Sequence, residues 1–336
     1  MNPQIRYSEE QALLRGEARR WLDERFPIAR VRELAESEAG EDPLDWKQLA
    51  GLGWLGLVVP ESFGGAQLGA TDLAVLMEET GRRLLPSPLL PSTLAALALV
   101  TDGSDAQRKR FLPAIAAGEI RAVYAGSASV WGASSADALI VPRGGGLEIV
   151  ERSSGGLETA PEIVLDRTRR SARVTRNGVA LGADAPSDRL AAMACLALAA
   201  EMAGGADALL ALTCAYAATR EQFGKPIGSF QAVKHPLVNV LIGVESLRSL
   251  VYAAATAFDA NSPDAETLAR MAKALACDVY VFAASRAVQL HGGYGFTLDC
   301  DAHLYLKRAQ ASRPAFGDAM AQRRWLADRL PGAAPL

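Results

Sequence analysis

The feature that most limits the possible folds is a run of apolar residues at helical spacing in the second half of the chain. Six of them follow one another at intervals of four, three, four, three and four: Val233, Leu237, Val240, Val244, Leu247 and Val251. This spacing puts all six on one face of a long helix, which is typical of bundle packing. The preceding segment, 188–218, is rich in Ala and Leu on nearly every face. We therefore predict a C-terminal antiparallel helix bundle.

The first part of the chain also shows helical patterns, whereas the middle part shows the pattern of short strands. Ser8 with Gln11 forms a capping-box pattern, and apolar residues recur at helical spacing over 71–83. From residue 121 to about 182, short apolar alternations are separated by glycine pairs and triplets, as in short strands with turns. The prediction is a mainly α protein with a small β domain. Its parts are a helical domain (1–120), a shortened middle β domain (121–187) and the bundle (188–330).

Charge and cysteine content exclude several functions. The 336 residues carry 35 Lys and Arg against 38 Asp and Glu, so there is no general basic field for nucleic acid or an anionic membrane. The four cysteines form no CxxC pair and the three histidines are scattered, so no metal site is predicted. The N-terminus lacks the apolar core of a signal peptide, and Glu201 and Asp207 interrupt the longest apolar stretch. We expect a cytoplasmic protein with reduced thiols and no membrane span.

A formal nucleotide fingerprint, GxGxxG, occurs at 51–56. In dinucleotide-binding folds this pattern lies between a strand and a helix. Here a helix-like segment, 45–50, precedes it. Helix ends and a turn therefore explain it better than a dinucleotide site.

Three other segments together give a specific signal. They are Gly-Trp-Leu-Gly-Leu-Val-Val-Pro-Glu with Phe-Gly-Gly (53–65), Arg-Glu-Gln-Phe-Gly-Lys-Pro-Ile with Ser-Phe-Gln-Ala-Val-Lys-His (220–235), and Gln-Leu-His-Gly-Gly-Tyr-Gly-Phe-Thr (289–297). In this order they resemble the motifs of the acyl-CoA dehydrogenases, and the likeness extends over most of the chain. The resemblance implies that family's order of helical, β and helical domains.

The chemistry of the second and third segments suits a dinucleotide cofactor. Arg220 offers a planar fork of donors to a pyrophosphate, and Phe223 offers a packing face. Adjacent glycines permit close approach of a cofactor to the backbone. The resemblance implies that seven residues bind the diphosphate and adenosine end of FAD across a subunit interface: Arg220, Gln222, Phe223, Gln231, Gln289, Gly292 and Gly293. The alternative is a surface ion-pair arginine and a simple helix stop.

The middle domain departs from the family pattern. In the family, a Thr-(Glu/Gln)-Pro…Gly-Ser-Asp loop and a Trp-Ile-Thr/Ser-like strand hold the isoalloxazine ring and the acyl thioester. Residues 124–132 here read Tyr-Ala-Gly-Ser-Ala-Ser-Val-Trp-Gly, and the domain that follows is short. We expect that this chain does not hold a flavin ring alone.

The family's catalytic base is also missing. A Tyr-Glu-Gly-Thr run usually supplies the carboxylate that removes the α-proton of the thioester, and Phe316 stands at that position here. Other members place the base at the start of the long helix before the Arg-x-x-Phe-Gly motif, which corresponds to Ala194. Glu201 is better explained as a paired interfacial carboxylate than as a base, and Asp318 is kept as an alternative base. No catalytic residue is therefore predicted.

Together these features resemble the smaller, base-lacking subunit of the heteromeric α2β2 acyl-CoA dehydrogenases that bacteria use on steroid side chains. The resemblance implies α,β-dehydrogenation of an acyl-CoA thioester with FAD. It further implies a partner chain that supplies the base, and an electron-acceptor flavoprotein. Two alternatives remain: a non-enzymatic binding or scaffold subunit on the same fold, and a homo-oligomeric flavoenzyme that uses Asp318.

Overall fold

The computed structural model describes residues 7–329, which fold mainly as helices. The helices are α1 (Glu9–Arg25), α2 (Ile28–Glu36), α3 (Pro43–Gly51), α4 (Ala70–Arg82), α5 (Leu89–Asp102), α6 (Asp105–Ala116), α7 (Asp188–Thr219), α8 (Gln231–Asp259), α9 (Ala265–His291), α10 (Ala302–Ser312) and α11 (Ala319–Ala327). The strands are β1 (Ala122–Tyr124), β2 (Ser129–Trp131), β3 (Ala138–Arg143), β4 (Gly146–Glu151), β5 (Leu157–Pro161), β6 (Ser171–Arg176), β7 (Val179–Ala180), β8 (Glu221–Gln222) and β9 (Lys225–Pro226). This order confirms the predicted fold class.

One compact unit comprises residues 31–73 and 86–194, and it contains strands β1 to β7. β3 lies between β1, which is parallel to it, and β4, which is antiparallel. In the second sheet β6 pairs antiparallel with β2, β5 and β7. Side chains from both sheets share one core, in which Val123, Leu139 and Val174 are fully buried. The β region is thus present, and the three predicted domain boundaries stay a prediction.

The other unit comprises residues 7–30, 74–85 and 195–329. Helices α8 and α9 pack along most of their length, and α10 and α11 pack on α9. Since only residues 260–264 join α8 to α9, the two helices run antiparallel. Four of the six residues of the predicted stripe on α8 are buried: Val240, Val244, Leu247 and Val251 are at most 3% exposed, whereas Val233 and Leu237 are partly buried. The stripe is therefore a seam within the chain.

Helices α4 and α7 cross at close range through glycines. A Cβ on Gly81 would lie 1.8 Å from the carbonyl oxygen of Glu201, and one on Gly204 would lie 1.8 Å from that of Glu78. Both distances are far below van der Waals contact, so only glycine allows these backbones to approach. The crossing brings three buried carboxylates, those of Glu78, Glu79 and Glu201, into the bundle unit.

The most buried of these carboxylates is Glu79, which is completely shielded from solvent. Its oxygens accept hydrogen bonds from Arg82 Nε at 2.7 Å, from a terminal guanidinium nitrogen of Arg19 at 2.8 Å and from Arg15 Nε at 3.0 Å. Arg15 also reaches the neighbouring Glu78. These bonds fix α1 to α4.

Two of the described helices, α7 and α8, are long and apolar enough to cross a membrane by length and composition alone. In α7, 72% of the apolar window is buried within the protein, as in a core helix. In α8 the share is 33%, so much of its apolar surface is uncovered.

Candidate functional site

The second and third motifs meet in a cavity of about 720 Å³ in the bundle unit. Its wall combines a guanidinium, aromatic rings and glycine backbone: Tyr216, Arg220, Gln222, Ile227, Leu290, His291, Gly292, Gly293 and Tyr294. The structure therefore brings together four of the seven predicted cofactor residues, namely Arg220, Gln222, Gly292 and Gly293. We call this the nucleotide cavity, by the ligand that its chemistry suits.

A small hairpin presents Arg220 at the cavity. Arg220 directly follows α7, and its backbone amide donates to the carbonyl of Tyr216 at 2.8 Å. Strands β8 and β9 then pair around a two-residue turn, in which Phe223 and Gly224 have φ of +55° and +76°. The amide of Ile227 returns to the Arg220 carbonyl at 2.8 Å and closes the hairpin.

The end of α9 forms the opposite side. His291 is the last helical residue, and Gly292 turns the chain out of the helix with φ of +63°. Nothing lies within 4 Å of the place where a Cβ would stand on Gly292 or Gly293. This open backbone allows a bulky phosphate group to approach the peptide. The residues present therefore fit the diphosphate end of a nucleotide.

An aromatic stack completes the wall. The rings of Tyr216 and His291 are stacked with centroids 4.3 Å apart, and Tyr294 lies 6.1 Å from Tyr216 in a similar plane. His291 Nδ1 is 2.7 Å from the carbonyl oxygen of Ala287, which fixes the imidazole. Flat rings beside a guanidinium suit a ligand with a ring and an anionic group. Sequence reasoning missed these three aromatics, although Tyr216 precedes Arg220 by four residues and Tyr294 follows the double glycine.

The other three predicted cofactor residues do not line this cavity. Phe223 stands at the hairpin turn with 92% of its surface exposed. Gln231 is the exposed first residue of α8, and Gln289 is exposed near the end of α9, where its backbone carbonyl caps the helix through the amide of Gly292. Their proposed contacts with a cofactor stay a prediction.

The structure describes Phe316, the residue that the resemblance places at the family's base position. Phe316 has a left-handed backbone with φ of +55°, which is costly for a non-glycine residue. Its carbonyl accepts a hydrogen bond from Gln322 Nε2 at 2.6 Å. Asp318 is exposed and caps α11, because its Oδ1 accepts from the amide of Ala321 at 2.8 Å. The carboxylate of Asp318 therefore has a structural partner.

The two other positions considered for a base are buried. Ala194 on α7 is 3% exposed and carries no ionisable group. The carboxylate of Glu201 is bonded to the guanidinium of Arg308, and both side chains are nearly inaccessible. The carboxylate is thus paired as the sequence predicted, but its partner lies within this chain and not across an interface.

A second cavity, of about 430 Å³, lies in the unit that holds the β sheets. Its wall contains Trp131 from β2, the arginines Arg121, Arg169 and Arg170, and five prolines. The guanidinium carbon of Arg169 lies 4.3 Å from the Trp131 ring centroid. A cation therefore covers the face of the one tryptophan that the sequence places where the family holds its flavin ring.

The described residues form a mainly helical fold with a small β region, and the bundle unit has a cavity lined by a guanidinium, aromatic rings and glycine backbone. Models of the acyl-CoA dehydrogenase N-terminal domain and of the acyl-CoA dehydrogenase C-terminal domain match residues 8–119 and 182–330. The chain belongs to the acyl-CoA dehydrogenase family.

Individual relatives refine this assignment. Acyl-CoA dehydrogenase IpdE2 of Mycolicibacterium smegmatis is 37% identical over 95% of this chain and 98% of its own length. Acyl-CoA dehydrogenase FadE34 of Mycobacterium tuberculosis is 31% identical over 90% of this chain but only 45% of its own. A solved variant of the Tcur3481-Tcur3483 steroid ACAD has a TM-score of 0.87 and 31% identity, covering 95% of this chain and 97% of that one. The predicted likeness to heteromeric steroid acyl-CoA dehydrogenases is confirmed.

Proposed function

We propose that this chain is one subunit of a hetero-oligomeric acyl-CoA dehydrogenase that desaturates a CoA thioester between its α and β carbons, with steroid-derived acyl groups as the substrate class. It completes the FAD site of a partner chain, and the partner supplies the base. One observation carries the proposal: the cofactor motifs converge on one cavity, whereas Phe316 and Ala194 stand at both base positions. FAD, when bound, supplies the acceptor for the β-hydride.

The chain's own share is binding and positioning. Arg220 would neutralise a diphosphate and hold its oxygens, and the open backbone at Gly292 and Gly293 would let that group approach. The stacked rings of Tyr216 and His291 would give the ligand a flat, rigid neighbour. These contacts orient the cofactor and exclude water, but none of them removes a proton.

The β unit supports placing the flavin ring on the partner. Arg169 occupies the face of Trp131 that a planar ring would need. Arg170, its neighbour, is engaged with the backbone carbonyls of Ala35 and Ser37. Displacing Arg169 would sacrifice a cation–π contact worth roughly 0.5 to 2 kcal/mol. A ring held by another chain avoids this cost.

Uncovered apolar side chains support assembly with another chain. Around the nucleotide cavity, Phe296 and Leu298 follow Tyr294, and they are 82% and 73% exposed. On α8, three large apolar residues outside the buried stripe are substantially exposed: Val238, Leu241 and Ile242. Exposed apolar surface of this extent marks an interaction site.

The missing base favours a different chain over a second copy as the partner. In a homo-oligomer every site would have Phe316 and Ala194 at the base positions. FadE34 matches this chain with 45% of its length, which leaves room in that protein for a second part of similar size. The same proposal includes an electron-acceptor flavoprotein that takes the electrons from the reduced FAD of the complex.

The test of assembly is co-purification with an acyl-CoA dehydrogenase-like chain encoded by a neighbouring gene. An obligate interface buries more than about 2,000 Å² in total, and a complex held by such an interface does not dissociate during purification. We therefore expect light scattering to show a stable complex. Flavin absorbance should accompany the complex and not this chain alone. Ile242→Glu on the exposed face of α8 should weaken assembly, whereas Leu13→Glu, equally exposed on α1, should not. A monodisperse monomer that never joins the partner would refute the proposal, and a stable complex without flavin would favour the scaffold alternative.

Arg220→Ala tests the cofactor assignment. A charge-assisted hydrogen bond contributes about 1.5 to 3 kcal/mol, so FAD should bind the complex roughly 10- to 100-fold more weakly. Arg220→Lys should rescue only part of this loss, since it keeps the charge without the planar fork. Arg20→Ala removes an exposed arginine paired with Glu17 and serves as the matched control. An unchanged flavin-to-protein ratio in Arg220→Ala after dialysis would show that Arg220 does not bind the cofactor.

A further inference from the structure

A completely buried lysine lies beside a cysteine in the bundle unit. Lys273 on α9 has no exposed surface, and its Nζ is 3.0 Å from the Sγ of Cys277, one helical turn later. The same Nζ donates to the backbone carbonyls of Arg313 at 3.0 Å and Gly317 at 3.1 Å. The lysine thus ties α9 to segment 313–317, and its three acceptors are two carbonyls and a sulfur.

Chemistry and access both favour reaction at this sulfur. The Lys273 nitrogen and the Cys277 sulfur are already in contact at 3.0 Å, so an oxidised sulfur would have an amine beside it. Cys277 also lines an open groove of about 660 Å³, together with Asn239, Gly243 and Phe282. Solvent in this groove therefore comes close to Cys277, although the residue itself is only 2% exposed.

Two of the other three cysteines, Cys195 and Cys214, lack this combination. Burial raises the pKa of the Cys195 thiol to about 11, against the opposing charges of Arg270 and Lys273. Cys195 therefore stays protonated and unreactive at neutral pH. Cys214 is exposed on α7, with desolvation raising its pKa. It is the natural comparison for a thiol that is accessible to peroxide but has no bonded lysine.

We propose that Lys273 and Cys277 form a peroxide-sensitive covalent switch. The Cys277 sulfur attacks hydrogen peroxide, the O–O bond breaks, and a sulfenic acid and one water form. The Lys273 amine then attacks this sulfur, the N–S bond forms and the S–O bond breaks, and the leaving hydroxyl takes one hydrogen from the nitrogen and departs as a second water. The sulfur has lost two electrons to the peroxide, and the product is a sulfur–nitrogen bond that a thiol can reduce. This inference does not rest on the proposed function.

The bond would change the segment that carries Phe316. A nitrogen bonded to sulfur keeps one hydrogen, so it can donate to at most one of the two carbonyls of Arg313 and Gly317. The strained backbone of Phe316 would then depend mainly on Gln322. Oxidation therefore loosens 313–317, and reduction fixes it again.

The experiment treats the purified full chain with a small molar excess of hydrogen peroxide, removes the excess with catalase, and digests at acidic pH without reductant. We expect an intact mass lower by about 2 Da, a single peptide containing both modified residues, and reversal by dithiothreitol. In a separate tryptic digest at neutral pH, also without reductant, cleavage after Lys273 should be lost, because its amine is blocked. Cys277→Ser should abolish the change, and Cys214→Ser should keep it.

Three results would overturn the proposal. A disulfide between Cys195 and Cys277 has the same mass change but joins two peptides. Oxidation of Cys277 to a sulfinic acid adds about 32 Da and leaves Lys273 cleavable. The third is an unmodified Cys277 at a peroxide dose that oxidises Cys214. Since peptide mapping of the unaltered chain distinguishes these outcomes, the test does not depend on any variant folding. Faster hydrogen exchange in the 313–317 segment after oxidation checks the loosening itself.

Discussion

Replacement of Glu79 by alanine should lower the free energy of unfolding by about 3 kcal/mol, as measured by urea titration. Removing one member of a buried ion pair costs about 3 to 5 kcal/mol, because the other charge is left without compensation. Glu79 is fully buried against Arg15, Arg19 and Arg82. The lower end of the range applies because these arginines keep 15% to 44% of their side-chain surface, so water can partly replace the carboxylate.

The control for this prediction is Glu17→Ala. Glu17 pairs with Arg20 on the same helix, and both side chains are about two-thirds exposed. Surface pairs of this kind contribute 0 to about 1 kcal/mol. A loss in Glu79→Ala no larger than that in Glu17→Ala would show that the network around Glu79 contributes little.

The same carboxylate gives the stability a pH dependence. Burial alone would raise the pKa of Glu79, but the hydrogen bonds and charges of Arg19 and Arg82 outweigh it and hold the pKa below its ordinary value of 4.5. A carboxyl whose pKa is lower in the folded state stabilises the fold above its unfolded pKa, and this contribution is lost as the pH falls through the folded value. The loss therefore begins below about pH 4.5 and should be absent from Glu79→Gln.

Features decided by neighbouring residues could be predicted from the sequence. The capping box at the start of α1 is present in both directions: Ser8 Oγ accepts from the amide of Gln11, and Gln11 Oε1 accepts from that of Ser8, both at 3.1 Å. The GxGxxG segment is also a helix end, since α3 ends at Gly51 and Gly53 has φ of +75°. In both cases the local chain alone determines the outcome.

Features that depend on distant segments could not be predicted. Arg169 reaches the face of Trp131 from a segment 38 residues further along, and nothing in either local sequence indicates this contact. The spacing of the apolar residues predicted the helix α8, but it did not predict which of its faces packs within the chain. Val244 is buried, whereas Ile242 is 59% exposed. Tertiary packing decides both, and it also assembles the aromatic wall of the nucleotide cavity.

Even with excess FAD in solution, the purified chain should oxidise acyl-CoA thioesters more slowly than the assembled complex by a factor of about 10² to 10⁴ or more, which is the usual effect of a missing general base. Phe316 and Ala194 cannot accept a proton, and Glu201 is bonded to a buried arginine. Robust turnover by the chain alone would contradict the assignment of the base to the partner. If only the complex turns over substrate, Asp318 is the one carboxylate of this chain that still has to be tested as the base.

Asp318→Asn makes that test cleanly, because asparagine caps a helix about as well as aspartate. The substitution keeps the cap on α11 and removes the carboxylate base, so it separates structure from catalysis. Asp318→Ala loses the cap as well and should cost about 1 kcal/mol in stability. We expect the complex with Asp318→Asn to keep its rate. A collapse of that rate, with flavin content and oligomeric state intact, would make Asp318 the base and would refute the division of labour between two chains.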